Sequence, residues 1–132
     1  IRLSGVGCPL WASIVEAGEA DSPGADYFVK KRIDMLLRKD PDIDAIILGC
    51  THYPLLMNSI VTHVPPGVRI IPQGEYVANS LRSYLDRHKS LESMLTRGGG
   101  CQYLTTESEE KFSETARIFL HEQVNVKHVD LG

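Results

Sequence analysis

The run Ala45-Ile46-Ile47-Leu48, followed at once by Gly49-Cys50-Thr51-His52-Tyr53-Pro54, constrains the fold more than any other part of the chain. Its four apolar residues do not alternate with polar ones, which is the pattern of a strand covered on both faces in a parallel sheet. Gly49 permits a tight exit. Pro54 suits the first position of a helix, because its φ is already helical and its missing N–H would have had no partner there. Strand, polar turn and helix make up the repeating unit of a doubly wound sheet, where ligands bind beyond the carboxyl ends of the strands. Cys50, Thr51 and His52 stand at that position.

The flanking segments agree. Val6-Gly7-Cys8-Pro9 reads as the end of an extended segment, and Trp11 to Glu19 as a short helix. Ser22-Pro23 predicts a helix start, and Val29, Ile33, Leu36 and Leu37 give that helix one apolar stripe as far as about Arg38. Lys30-Lys31-Arg32 reads as a solvated face, and Asp40-Pro41-Asp42 stops the helix. Beyond Pro54, the spacing of Leu56, Ile60 and Val64 predicts a helix ended by Pro65-Pro66-Gly67. Val68 to Ile71 predicts a second strand. The turn Pro72-Gln73-Gly74-Glu75 then leads into a helix with Val77, Leu81 and Leu85 on its core side. His88 to Gly100 reads as a polar linker, without the Lys-Ser/Thr signature of a phosphate loop. Cys101 to Thr105 predicts a strand and Thr106 to Glu109 a capping box. Phe112, Ala116, Phe119 and Leu120 then form a helical stripe, and Val124, Val126 and Val129 belong to a last strand. The fold class expected is α/β, a doubly wound, mainly parallel sheet with flanking helices.

At the exit of the first strand a thiol has two sources of activation. Partial positive charge at a helix N-terminus favours an anion, and an imidazole two residues away can exchange a proton with the sulfur. The competing reading is a small buried hydrophobe at Cys50 and an ordinary loop histidine at His52. A zinc site does not fit, because no Cys-x-x-Cys pair exists to complete four ligands.

Composition narrows the partners. With 14 basic and 17 acidic residues among 132, there is no electrostatic bias toward nucleic acid or an anionic membrane, and neither is expected as a partner. No apolar stretch approaches the roughly 18 residues that span a bilayer, and the start lacks a secretory pattern. Three irregularly spaced cysteines cannot all pair within the chain, which agrees with reduced thiols and a cytoplasmic location. A start at Ile1 without Met is what a fragment would show.

Leu48 to Leu56 resembles the second cysteine motif of the aspartate/glutamate racemase family, and of glutamate racemases in particular. Gly7-Cys8-Pro9-Leu10-Trp11 with Ile14-Val15-Glu16 resembles the Cys-Pro-Leu plus Val-Glu segment that precedes that motif. The Asp-Ser and Cys-Asn-Thr motifs found earlier in such enzymes are absent, so the resemblance is to a carboxyl-terminal half only. It implies a cofactor-independent racemase that interconverts L- and D-glutamate for peptidoglycan synthesis by a two-cysteine, two-base mechanism. Cys50 would serve one face of the α-carbon, His52 and Glu16 would set its protonation, and Thr51 would bind substrate.

The resemblance further implies that residues 1–74 belong to a second α/β domain, that 75–100 are helix and linker, and that 101–132 form a strand-helix-strand segment returning to the first domain. In many relatives the turn at Pro72-Gln73 carries an acidic residue and a serine instead. The implied partners are glutamate and the missing amino-terminal half; exposed sheet edges add the expectation of a homo-oligomer. Alone, the chain is expected to be inactive. The alternatives are a racemase for aspartate or another amino acid, and a non-catalytic α/β binding or assembly module with a structural Cys50.

Overall fold

Ser22 starts a 17-residue helix, α2 (Pro23–Lys39), as its side chain predicts. Its Oγ accepts the Ala25 N–H at 3.1 Å, Pro23 takes the first helical position, and Asp40 leaves the helix in an extended conformation. The computed structural model describes residues 1–120 and 122–131 and divides between Tyr84 and Leu85 into two units.

The first unit holds α1 (Trp11–Glu16), α2, β1 (Ala45–Leu48), a 3₁₀ turn (Tyr53–Leu56), α3 (Met57–His63), β2 (Arg69–Pro72) and most of α4 (Gln73–Arg87). β1 and β2 pair in parallel, Ala45 opposite Arg69 and Leu48 opposite Pro72. The 3₁₀ turn and α3 are therefore the crossover of a β-α-β unit, which a parallel pair requires. The core is built from Trp11 and Val15 of α1, Val29 and Ile33 of α2, Ile46 and Leu48 of β1, and Leu56 and Ile60 of the crossover.

Two expectations about cover fail here. Ile46 and Leu48 point into the core, but Ile47, on the opposite face of the pleat, is 60 % exposed. The unbroken apolar run predicts cover on both faces, and among the described residues one face has it. Val77 and Leu81, read as a core side, are 61 % and 56 % exposed, and α4 buries no residue. Spacing of this kind states which residues share a face, not what lies against it.

The N-terminal segment is pinned to the end of α2. Arg2 Nε and Nη2 donate to the two Asp40 carboxylate oxygens at 2.9 and 2.6 Å, and Ser4 Oγ donates at 3.0 Å. Burial opposes the charge on Asp40, but the hydrogen bonds from Ser4 and the Asp42 N–H, together with Arg2, hold its carboxyl below the ordinary range.

α2 and α3 are joined at Asp26, whose Oδ1 accepts from Ser59 Oγ and His63 Nε2, both at 2.7 Å. Both groups donate to the carboxylate, so the imidazole does not accept the serine's proton and this is no nucleophilic triad. The bonds from Ser59 and then His63 hold the Asp26 carboxyl below its ordinary range. A carboxyl depressed in the folded state stabilises the fold above its ordinary pKa, and that contribution disappears as pH falls through the folded value. Asp26→Asn is thus expected to lower the urea midpoint at pH 6, and the gap from the parent chain is expected to narrow as pH falls below the ordinary carboxylate range. A gap of constant size would assign the effect to packing instead.

The second unit holds α5 (Lys89–Met94), β3 (Tyr103–Thr105), α6 (Glu109–Leu120) and β4 (Val126–His128). β3 and β4 are also parallel, Tyr103 opposite Val126 and Thr105 opposite His128, with α6 as the crossover. Both pairs are parallel and the architecture is α/β, as the sequence predicts. Two local readings change. The stretch 88–100 contains α5, in which Lys89 bridges Asp86 and Glu92. The cap of α6 is Ser108, whose Oγ accepts the Lys111 N–H at 3.1 Å, and not Thr106. Residues 121 and 132 of the predicted segment 101–132 lie outside the described residues.

Candidate active site

β1 ends at Leu48, and its last carbonyl accepts Gln73 Nε2 at 3.0 Å. The turn expected at Pro72-Gln73-Gly74-Glu75 is replaced by a direct passage from β2 into α4, whose first residue, Gln73, supports the end of β1. The chain then passes through Gly49 into the Cys50 turn, and three of the four residues singled out from sequence meet there.

Cys50 Sγ lies 3.7 Å from His52 Nδ1, and His52 Nε2 lies 3.0 Å from Glu16 Oε1. Cys50 and His52 come from the β1 exit, whereas Glu16 is the last residue of α1. The thiol is half-buried. The side chains of His52 and Glu16 are 27 % and 59 % exposed. With Nε2–H donated to the carboxylate, Nδ1 presents its lone pair to the thiol, so a proton can pass between sulfur and ring. A carboxylate on the far nitrogen stabilises positive charge on the ring, and a positive ring stabilises a thiolate. The arrangement is a carboxylate–imidazole–thiol line. Thr51, the fourth residue, is exposed in the same turn.

The helix that was to favour the thiolate is not one continuous helix. Tyr53–Leu56 is a 3₁₀ turn, and α3 spans only Met57–His63. Aligned backbone dipoles grow with helix length and act within the first turn, so the imidazole is the stronger of the two influences on Cys50. His52 occupies the cap position of the 3₁₀ turn but makes no side-chain cap bond, and its ring is engaged between Cys50 and Glu16.

Tyr53 is a residue that the sequence reading missed. Its N–H donates to the Cys50 carbonyl at 3.2 Å, its hydroxyl donates to the Cys8 carbonyl at 3.5 Å, and its ring packs edge-to-face with Trp11, centroids 4.9 Å apart. Burial, and then the neighbouring Cys8 and Cys50, push its phenol up. Burial likewise pushes the Cys8 thiol up, with Arg32 and Tyr53 pulling against it. Burial thus favours the neutral thiol at Cys8. The available signal was an aromatic residue directly after the motif histidine, with a tryptophan in the other motif.

A groove of about 880 Å³ lies between the N-terminal segment, α2 and β1, and takes in Cys8 and Tyr53 but not Cys50, His52 or Glu16. Its one thiol, Cys8, has no imidazole beside it among the lining residues, whereas the Cys50–His52–Glu16 line lies outside the groove. Among the described residues no group of His, Cys, Asp and Glu is disposed to hold a metal ion, and no helix is long and apolar enough to cross a membrane.

Comparison with known proteins adds sequence and structural relatives. No family model matches. The chain is 35 % identical to the glutamate racemase of Listeria monocytogenes serotype 4a over 100 % of its own length and 49 % of the relative's. It is 39 % identical to that of Ruegeria sp. strain TM1040 over 80 % of its length and 38 % of the relative's. Among solved structures, glutamate racemase isoform RacE1 from Bacillus anthracis superposes with a TM-score of 0.78 at 33 % identity, covering 94 % of this chain and 45 % of that one. The glutamate racemase of Francisella tularensis in complex with D-glutamate gives 0.77 at 27 % identity, again covering 94 % and 45 %. The chain spans about half the length of the relatives it matches.

Proposed function

Because this chain belongs with the glutamate racemases in sequence and fold while spanning about half their length, we propose that it supplies one of two acid/base faces of such an isomerase. Inverting an α-carbon requires a group that removes the proton from one side and another that returns a proton on the other. Cys50 is the group on this side. His52 accepts and returns its proton, Glu16 steadies the charge on the ring, and Thr51 binds polar groups of the substrate at the same turn. The substrate is glutamate, the reaction needs no cofactor, and the D-glutamate formed serves peptidoglycan synthesis.

The observation that carries this reading is the unbroken line from Cys50 Sγ through His52 to Glu16, at 3.7 and 3.0 Å. The opposite base and most contacts to the two carboxylates belong to the amino-terminal half that this chain does not contain. Ile47, on the uncovered face of β1, is a position that half would cover.

A lone base cannot invert the centre. Circular dichroism of D- or L-glutamate incubated with the purified chain is therefore expected to stay constant. Loss of optical activity that Cys50→Ser abolishes would overturn the division of the two bases between halves.

A further inference from the structure

We infer that the Trp11–Tyr53 ring pair is the positioning element that holds Glu16 against His52; this rests on the reading of Cys50, His52 and Glu16 as one acid/base unit. The Glu16–His52 contact joins residues 36 apart in sequence. With 59 % and 27 % of the two side chains exposed, such a pair gains too little to order both of them by itself. The buried contact beside it is aromatic.

Trp11, only 3 % exposed, is the first residue of α1, and Glu16 is the last. One rigid helical segment of about 7.5 Å carries both. Tyr53 follows His52 directly, and its ring packs on Trp11 at an interplanar angle of 71°. The Cys8 carbonyl accepts the Trp11 N–H at 3.2 Å and the Tyr53 hydroxyl at 3.5 Å, which ties the start of α1 to the turn a second time. Trp11 Nε1–H donates to the Phe28 carbonyl at 3.4 Å, and Val15, next to Glu16, is 1 % exposed. α1 cannot rotate about its own axis without breaking these contacts. Docking ring on ring thus sets where Glu16 arrives, and it arrives at Nε2. Both aromatics act through Glu16 and are positioning residues.

The test is the pH profile of Cys50 alkylation by iodoacetamide, followed by peptide mass on the purified chain. Glu16→Gln is expected to slow the reaction at pH 7 about threefold and move the profile to higher pH, as loss of one partly exposed charge would. Tyr53→Leu is expected to reproduce that profile, and the double variant to add nothing further, because the second loss acts through the first. Tyr53→Phe keeps the ring and is expected to keep the parent profile. Additive losses in the double variant, or a Tyr53→Phe profile matching Glu16→Gln, would overturn the positioning role. If Tyr53→Leu does not fold by far-UV circular dichroism, the phenylalanine variant decides alone. A Glu16→Gln profile identical to the parent's would overturn the acid/base reading itself, and the inference with it.

Discussion

His52→Asn is expected to slow alkylation of Cys50 by up to about fivefold at pH 7 and to leave Cys101, an exposed thiol, unchanged. The imidazole is the polar partner of the sulfur, at 3.7 Å, and asparagine can neither take its proton nor carry positive charge. Opposite charges at that separation attract by about 4–5 kcal/mol at an effective dielectric constant near 20. The histidine is partly exposed, so solvent screening leaves only a fraction of this, about 1 kcal/mol at most, which is roughly a factor of five. Peptide mapping under excess iodoacetamide separates the three sites. Cys8, pushed up by burial, should be the slowest and serves as an internal reference. Equal rates at Cys50 in the parent chain and His52→Asn would make the thiol an ordinary half-buried one and remove the chemistry from the site.

The largest expected stability effect lies in the crossover beneath the site. Ile60 is 0 % exposed in the middle of α3, and Ile60→Ala removes atoms from a packed interior that can only partly close around the gap. The cost is about 2–5 kcal/mol, a large part of the roughly 5–15 kcal/mol that holds a typical domain together. Val61→Ala, one residue along and 53 % exposed, is expected to stay within about 0.5 kcal/mol. Urea unfolding followed by far-UV circular dichroism compares them. Similar midpoints for the two variants would mean that α3 is not packed as described. Because α3 and the 3₁₀ turn form one crossover starting directly after His52, loosening it should also disturb the cysteine turn.

Much of this was readable from the chain alone, for reasons that are local. Ser22-Pro23 starts α2 because a hydroxyl and a proline satisfy a helix start without help from elsewhere. β1 follows from four consecutive apolar residues, and its exit from the glycine and polar residues that succeed them. Cys50 and His52 are separated by two positions, so any turn there keeps them close. Where the reading failed, the deciding partner was distant in sequence. Ile47 and the Val77–Leu81 stripe are apolar enough for a core, but spacing states only which residues share a face and not what lies against it. The cap at α6 went to Ser108 because the helix began two residues later than a capping box at Thr106 requires.

By itself, the sequence determined most of the elements, the parallel α/β class and the closeness of Cys50 to His52, since each of these depends on neighbours within a few positions. The tertiary structure alone decided that Glu16 reaches His52 across 36 residues, that Tyr53 and Trp11 stand between the two motifs, and that burial pushes the Cys8 thiol up. Side-chain distances, burial and charge stabilisation arise from segments packed together, and no local pattern encodes which segments those are.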